Sequence, residues 1–543
     1  MTGTILVRGA RVPQRDGTLS EPADLHVVRG RITTITPTGA SGGAGPGVEP
    51  GIEPGIEPGI EPGPEVLDAG GRVVLPGFVD AHTHAEAAVF EQDVQLAMLR
   101  QGITTVVTGQ DGVSFAPSDG TTYDWASTYF AAVNGVHPTF AGGSVGDLLG
   151  TYHRTVPVNV AYLAPHGTLR YRVLGAAQRP ASDAEVAAMA GLLEQAMDDG
   201  ACGLSTGLEY VPAAYADERE LVALAKVVAA RGLPHVSHMR GYEDKGVAAL
   251  DELMRIARAS DVATHVSHLH GPARELLEHV GGARAGGRDV TYDSYPYLRG
   301  CSILSMVALP TWLPLADARA TIDALRDPAT AVRLAEHFAG LTDLWPRITF
   351  ASVPGMEWAE GHTLPDVAAR LGRSAPDTVV EVLTATELRA SCVFAQPPTN
   401  SPESVRTLAG HEGHLAGSDA IYWGGSPHPR GWGAFARLLD EHVRRGSWSW
   451  WDAAEHLSAR AARRFGLADR GLIAPGAVAD LALVDPGRVR DEATYEAPRT
   501  LAVGIEDVLV GGVPVLAAGQ LTGATPGHGL RPAAAGSAAR AVG

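Results

Sequence analysis

The sequence predicts an α/β protein, a (β/α)8 barrel with a smaller β domain, on three observations. Strand-like and helix-like patterns alternate repeatedly from about residue 73 to 440, as a parallel sheet closed into a barrel requires. Histidines, aspartates and tyrosines recur where the strand-like runs end. Outside that stretch, residues 1–36 and those after 470 change texture to short β runs broken by Gly, Arg and Asp turns.

Taken in order, TILVRGARV and DLHVVRGRITTI read as a small antiparallel sheet. The tandem EPGI repeat over roughly residues 45–65 follows; proline every fourth residue blocks helix and glycine weakens strand, so it reads as a flexible acidic loop. Within the alternating stretch, Ser182-Asp183-Ala184-Glu185 is a capping box. Val186, Met189, Leu193 and Met197 share the next helix face and Gly200 suits its stop. CGLSTGL is a strand, and a helix from about Asp217 presents Leu221, Leu224 and Val228 before Gly232. PHVSHMR, a helix over 247–259 and VATHVSHLH continue the pattern. An open doubly wound sheet is the alternative, but no G-x-G-x-x-G fingerprint marks a nucleotide crevice. Between Tyr297 and Phe350 the alternation lapses into apolar, Pro-rich and helical text, read as a lid-like insertion near 298–350 over the barrel mouth. The expected boundaries are a small β domain over 1–66, the barrel over 67–465, the rest of the β domain over 466–522, and a flexible tail over 523–543.

Acidic side chains number 61 against 43 basic ones, a formal charge of −18, which argues against nucleic acid as a partner. No apolar run reaches the length of a spanning helix, and MTGTILVRGARVPQRDG lacks the layout of a secretion signal. The expectation is a cytoplasmic protein with a small-molecule substrate, no membrane and no nucleic acid. Cys202, Cys301 and Cys392 form neither a disulfide framework nor a C-x-x-C knuckle. Only Lys226 and Lys245 are lysines, so chemistry that needs a lysine has two candidates.

LPGFVDAHTHAE places His82 and His84 two residues apart after a short apolar run, so both rings face one side of the sheet. Alone, an H-x-H is weak evidence of a metal site. The other strand-like runs end at Asp111, at His166 and Arg170, at His238, at His268, at Tyr295 and Tyr297, and at Asp419. Each has a bland reading; a strand-end histidine is commonly solvated, and a GSD turn is commonly a helix cap. Four histidines and two aspartates at one barrel mouth are harder to explain singly. Imidazole and carboxylate are the ligand set for a divalent ion, Zn²⁺ foremost, one or two per chain.

The motifs PGFVDAHTH, GITTVVTGQDGVSFAP, GLSTGLEYVPAAYADERELVALA, HMRGYE, SHLHG, DSYPY, GSD followed by HPRGWGAFARLL, and RFGLADRGLIAPGAVADLALVDP span roughly residues 66–515 in order. This chain resembles the amidohydrolase superfamily, and within it the D-aminoacylase (N-acyl-D-amino-acid deacylase) branch. The resemblance implies a metal-dependent hydrolase that releases a carboxylate and a free D-amino acid, and a β-sandwich built from both chain ends. It implies a tightly held ion on His238, His268 and the second-strand residue. His82, His84 and Asp419 would form a weaker neighbouring site, with Asp419 also the general base.

Two departures from the branch stand out. Its second-strand cysteine is here Asp111, a harder ligand able to bridge two ions and shift preference toward manganese, cobalt or a second zinc. Its lysine after the sixth-strand histidine is here His270, which leaves Arg430 and Tyr295 as carboxylate contacts. The carbamylated lysine used elsewhere in the superfamily is excluded, since neither lysine ends the fourth strand. His166 or a tyrosine hydroxyl is expected to help stabilise the oxyanion. Arg240 is a candidate substrate contact, with an ion pair to Glu243 or Asp244 as its alternative; Tyr295 and Tyr297 have core packing as theirs. Two rival readings stay open: a cyclic-amide hydrolase of hydantoinase or dihydroorotase type, and an inactive metal- or small-molecule-binding barrel.

Overall fold

The computed structural model describes residues 3–39, 65–467 and 469–533; the EPGI repeat before Glu65 lies outside them. Eight parallel strands build the barrel: β1 Phe78–Asp80, β2 Ile103–Thr108, β3 Asn159–Tyr162, β4 Leu204–Gly207, β5 Pro234–His238, β6 Ala263–Val266, β7 Val290–Ser294 and β8 His414–Ala416. β1, β2 and β3 pair in parallel, as do β4 through β8. Ala164 and Pro165, just past β3, pair with β4, and Ala81 N–H donates to Ala416 C=O, so β8 returns to β1. β2 (ITTVVT) is buried throughout, as expected of a strand covered on both faces.

The helices form where the apolar periodicity placed them. Asp183–Asp198 starts at the Ser182–Glu185 capping box and buries Val186, Met189, Leu193 and Met197. Glu218–Ala230 is capped by Asp217 and buries Leu221, Leu224 and Val228. Gly246–Ser260 follows β5.

Both chain ends build the β-sandwich. One sheet runs Arg31–Pro37, Ala23–Val28, Thr4–Ala10, Glu65–Asp68; the other runs Gln520–Leu521, Val513–Ala517, Ile505–Val510, Leu481–Val484, Val73–Pro76. Ile5, Val7, Leu25, Val27, Val74, Leu481 and Leu509 pack between them. The sandwich therefore continues past the expected boundary at residue 66, to Pro76. The VVLP run is wholly buried, and a continuous apolar run carries no sign of which sheet owns it.

The insertion is also larger than expected. Arg299–Ile303, Ser391–Ala395 and Ile348–Ser352 form a three-stranded antiparallel sheet, with helices Ala318–Arg326, Pro328–Ala339, Leu364–Leu371 and Ala375–Ala385 around it. Leu304, Phe338, Ile348, Phe350, Val379 and Leu383 belong to its own apolar cluster. The text after residue 350 has the same local helix-and-strand pattern as the barrel, and only non-local pairing sets it apart. Residues 523–533, expected to be loose, dock on the barrel: Gly527 N–H donates to Val156 C=O, Leu530 N–H to Val160 C=O, and Ala533 N–H to Gly466 C=O.

Candidate metal centre

β1 ends at Asp80, whose buried carboxylate ties it to the turn after β8. Asp80 Oδ1 accepts from Ser418 N–H at 2.9 Å and His82 N–H at 3.2 Å, and Oδ2 accepts from Ser418 Oγ at 2.5 Å. Burial, opposed by these bonds, pushes the Asp80 carboxyl up to about 7. The brace fixes His82 and Asp419 relative to one another. The turn after β2 brings in Asp111, whose carbonyl oxygen lies 2.0 Å from where a Cβ on Gly207 would stand. The end of β4 is therefore glycine by necessity, and no lysine side chain fits there.

His82, His84, Asp111 and Asp419 converge on one point, and Asp111, His238 and His268 on a second; within each group the ligand atoms lie within 4.8 Å of one another. His82 Nε2 is 3.6 Å from Asp111 Oδ1 and 3.5 Å from Asp419 Oδ1, and His84 Nε2 is 3.5 Å from Asp111 Oδ2 and from Asp419 Oδ1. His238 Nδ1 is 3.6 Å from Asp111 Oδ2, and His268 Nε2 is 3.7 Å from Asp111 Oδ1. These separations are too long for hydrogen bonds. They approach the edge of about 3.3–3.4 Å of a tetrahedron with ligand bonds of about 2.0–2.1 Å. His82 Nε2 and Asp111 Oδ1 are buried with no hydrogen-bond partner, a cost a protein rarely leaves uncompensated. The residues fit one or two divalent ions.

The electrostatics agree. Burial favours neutral rings, yet Asp111 and Asp419 outweigh it and raise His84 to about 10, and Asp111 and Glu209 raise His238 to about 9. A site that holds a proton this firmly on a buried ring attracts positive charge at that position. Asp111, His268 and Asp419 all take positive φ, 56°, 36° and 49°, conformations that cost energy in non-glycine residues and gather at functional sites.

A second layer orients the rings. His82 Nδ1–H donates to Asp293 Oδ2 at 3.3 Å, His84 Nδ1–H to Asn134 Oδ1 at 3.1 Å, and His238 Nε2–H to Glu209 Oε2 at 2.9 Å. Asp293 also accepts from His265 Nε2–H at 3.0 Å and from His268 N–H at 2.9 Å. Burial would raise Asp293, but His82 and His265 hold it far below the usual carboxylate range. Asp293, Asn134 and Glu209 escaped the sequence reading. DSYPY and GLEY were visible as motifs, but nothing local says where their acids point.

The cluster floors a cavity of about 450 Å³, with Tyr295 on its barrel side and Met306, Val307, Leu341, Leu344 and Phe394 from the insertion on the other. Arg430 sits one layer behind the wall, fully buried, its guanidinium 4.5 Å over the Tyr295 ring and its Nη1 2.8 Å from Asp419 Oδ2. The pair meets the distance but not the angles of a hydrogen bond, and Nε, Nη1 and Nη2 all lack a hydrogen-bond partner. Burial would raise Asp419; the charges of Arg430, His268 and His82 hold it below the usual carboxylate range. Tyr295 Oη accepts from Gln396 Nε2 at 3.3 Å, and burial raises its pKa, so it keeps its O–H.

His270 lines the cavity, stacked 4.8 Å from Tyr242, with Nδ1–H donating to His268 C=O at 2.9 Å. Burial lowers it to about 4, so it does not replace a lysine's charge at neutral pH. Two expected substrate contacts are not brought to the cavity. His166 Nε2–H donates to Glu220 Oε1 at 2.7 Å, with Arg170 on the same carboxylate. Arg240 bonds Glu252 at 3.0 Å and the carbonyls of Ala214 and Ala216. Both follow strand ends, yet each side chain turns into the wall between neighbouring helices and loops. The ion pair of Arg240 is with Glu252 rather than Glu243 or Asp244; Glu243 instead meets Arg347 at 3.6 Å. Tyr297 packs beside the barrel, donating to Asp491 Oδ2 at 2.7 Å.

A closed (β/α)8 barrel with imidazoles and carboxylates gathered at its carboxyl rim, around room for one or two ions, defines the class of metal-dependent barrel hydrolases. The chain matches the amidohydrolase family over residues 65–516 and belongs to it. It is 34% identical over 458 residues to the N-acyl-D-glutamate deacylase of Alcaligenes xylosoxydans xylosoxydans, covering 83% of this chain and 84% of that one. To the D-aminoacylase of the same organism it is 34% identical over 486 residues, covering 86% and 89%. The N-acyl-D-glutamate deacylase of Bordetella bronchiseptica, solved with zinc and a phosphonate mimic of the tetrahedral intermediate, matches with a TM-score of 0.79 at 29% identity, covering 98% of this chain and all of that one.

Proposed function

We propose that the protein hydrolyses the amide of N-acyl-D-amino acids to a carboxylate and a free D-amino acid. The observation that carries the reading is the placement of Asp419, with Oδ1 toward the histidine cluster and Oδ2 against the buried, under-bonded Arg430. Its relatives named for deacylation of D-glutamate and D-amino acids support the substrate class.

His82, His84, Asp111 and Asp419 on one side, and Asp111, His238 and His268 on the other, would hold the metal. A bound divalent ion supplies Lewis acidity to the scissile carbonyl and to the attacking water. Asp419, kept ionised by its cationic neighbours, accepts the proton of the water as it attacks and delivers it to the leaving amine. Arg430 does not line the cavity; from one layer behind Tyr295 its buried charge makes that wall the one that favours the substrate carboxylate. The Tyr295 hydroxyl is a neutral donor at the cavity wall. Met306, Val307, Leu341, Leu344 and Phe394 supply apolar surface for the acyl chain and exclude water.

A cytoplasmic setting belongs to the same reading. Its support is three unpaired, buried thiols, Cys202, Cys301 and Cys392. No helix of the described residues is long and apolar enough to cross a membrane. The test of function is amine release from a panel of N-acetyl-D-amino acids, with L-isomers and hydantoins as controls. Release from the D-substrates is expected. Turnover confined to hydantoins, or to none of the panel, would refute the proposal.

A further inference from the structure

We infer that the preferred substrate carries an aliphatic acyl chain of several carbons rather than acetyl, and that Met306, Val307, Leu341 and Leu344 of the insertion form the wall on which that chain lies. This rests on the proposed amide hydrolysis and adds to it the class of acyl group.

The wall is apolar surface that the fold leaves uncovered. In the helix Leu304–Ala308, Leu304, Ser305 and Ala308 are buried, whereas Met306 and Val307 stay half-buried and line the cavity. In the turn after Pro328–Ala339, Trp345 is buried in the apolar cluster of the insertion. Leu341 and Leu344, three residues apart, are half-buried and line the same cavity. Single half-exposed apolar side chains are ordinary, but four from two segments gathered in one cavity mark a place for an apolar ligand. Charge gathers instead at the rim: Asp244, Lys245 and Asp343 are exposed, and Arg347 meets Glu243 at 3.6 Å.

The amide decides which part of the substrate meets this wall. A secondary amide is trans, so the acyl chain and the amino-acid Cα leave the C–N bond in opposite directions. With the scissile carbonyl at the metal cluster and the carboxylate toward Tyr295, the acyl chain runs to the insertion side of the cavity. The amino-acid side chain leaves Cα on the carboxylate side. An acetyl group ends one carbon past the carbonyl and leaves the wall in water; each further methylene covers part of it. Met306 is flexible enough to follow the chain. The reaction is unchanged: the C–N bond breaks, water supplies an oxygen to the released alkyl carboxylate, and its proton goes to the freed amine.

Full burial of a methylene is worth about fourfold in affinity, and hexanoyl carries several more than acetyl. The test measures amine release by the zinc-loaded, full-length protein from N-acetyl-, N-butanoyl- and N-hexanoyl-D-alanine. Hexanoyl should exceed acetyl in kcat/KM by at least about tenfold, and Leu341→Asn should cut that ratio by about fivefold or more. Equal kcat/KM across the wild-type series overturns the inference, as does a folded Leu341→Asn protein that keeps the ratio. A Leu341→Asn protein that instead lowers the ratio of N-acetyl-D-norleucine to N-acetyl-D-alanine also overturns it, because the wall would then belong to the amino-acid side chain. Release from none of the D-substrates refutes the proposed function, and the wall is then decided by calorimetric titration of the zinc-loaded protein with hexanoate and acetate. Hexanoate bound at least about tenfold more tightly is expected; equal affinities overturn the inference. Because Leu341→Asn can fail to fold, the wild-type series and the titration each stand alone.

Discussion

Replacing Asp419 by asparagine isolates the chemistry of one carboxylate. Asparagine keeps the shape and one oxygen donor toward His82 and His84, so metal should stay, but it cannot take up the proton of the attacking water. Removal of a general base typically costs about 10²–10⁴ in rate, or about 2.7–5.4 kcal/mol of transition-state stabilisation at 1.36 kcal/mol per decade. A second effect follows from Arg430. Its guanidinium is fully buried and lies 2.8 Å from Asp419 Oδ2; with the amide NH₂ turned toward it, two donors face each other. An uncompensated buried charge of this kind costs about 3–5 kcal/mol of stability. Activity must therefore be read well below the lowered melting temperature, as initial rates of amine release with metal content measured on the same sample. Adding Arg430→Met to Asp419→Asn removes the orphaned charge, so it should recover stability without recovering turnover. A single variant within tenfold of wild-type turnover, with metal retained, would refute the assignment of Asp419 as base.

Asp111→Ala removes the carboxylate common to both groups of candidate ligands, and elemental analysis should find fewer than half the ions of the wild type; an unchanged stoichiometry would show that Asp111 does not ligate. Arg240→Ala breaks the bonds to Glu252, Ala214 and Ala216 and should lower stability by about 1.5–3 kcal/mol with KM unchanged; a raised KM would return Arg240 to the substrate. His166→Gln should likewise keep kcat/KM within about threefold, because His166 is committed to Glu220. Acid sensitivity should come from His414 and its neighbours: burial lowers His414 to about 3, and His456 well below its ordinary value. The unfolded chain takes up these protons near pH 6.5 while the folded one does not, so stability is full above that pH and falls as pH drops toward 3. Each ring contributes about 1.4 kcal/mol per pH unit in that window. Melting curves from pH 7 to 4.5 should show the decline, His414→Gln should reduce its slope, and an unchanged midpoint would refute the account.

What the sequence made legible follows from how far each signal reaches along the chain. The i, i+2 spacing of His82 and His84 brings both rings to one cluster, although both lie just past the end of β1, and the capping box at Ser182 starts a helix; both signals are local. The convergence of Asp111, His238, His268 and Asp419 is not local, yet it could be read because a barrel maps every strand end onto one rim. The same rule misplaced His166 and Arg240. It fixes where a Cα lies but not which way the side chain leaves it, and each found a carboxylate partner, Glu220 and Glu252, on a helix outside the rim. The opposite error hid Asp293. Its role depends on three groups from β6 and from the segments after β1 and β6, His265, His82 and the His268 backbone, and no spacing within DSYPY encodes them. Candidate ligands can thus be gathered from topology, whereas the residues that aim them depend on contacts between strands.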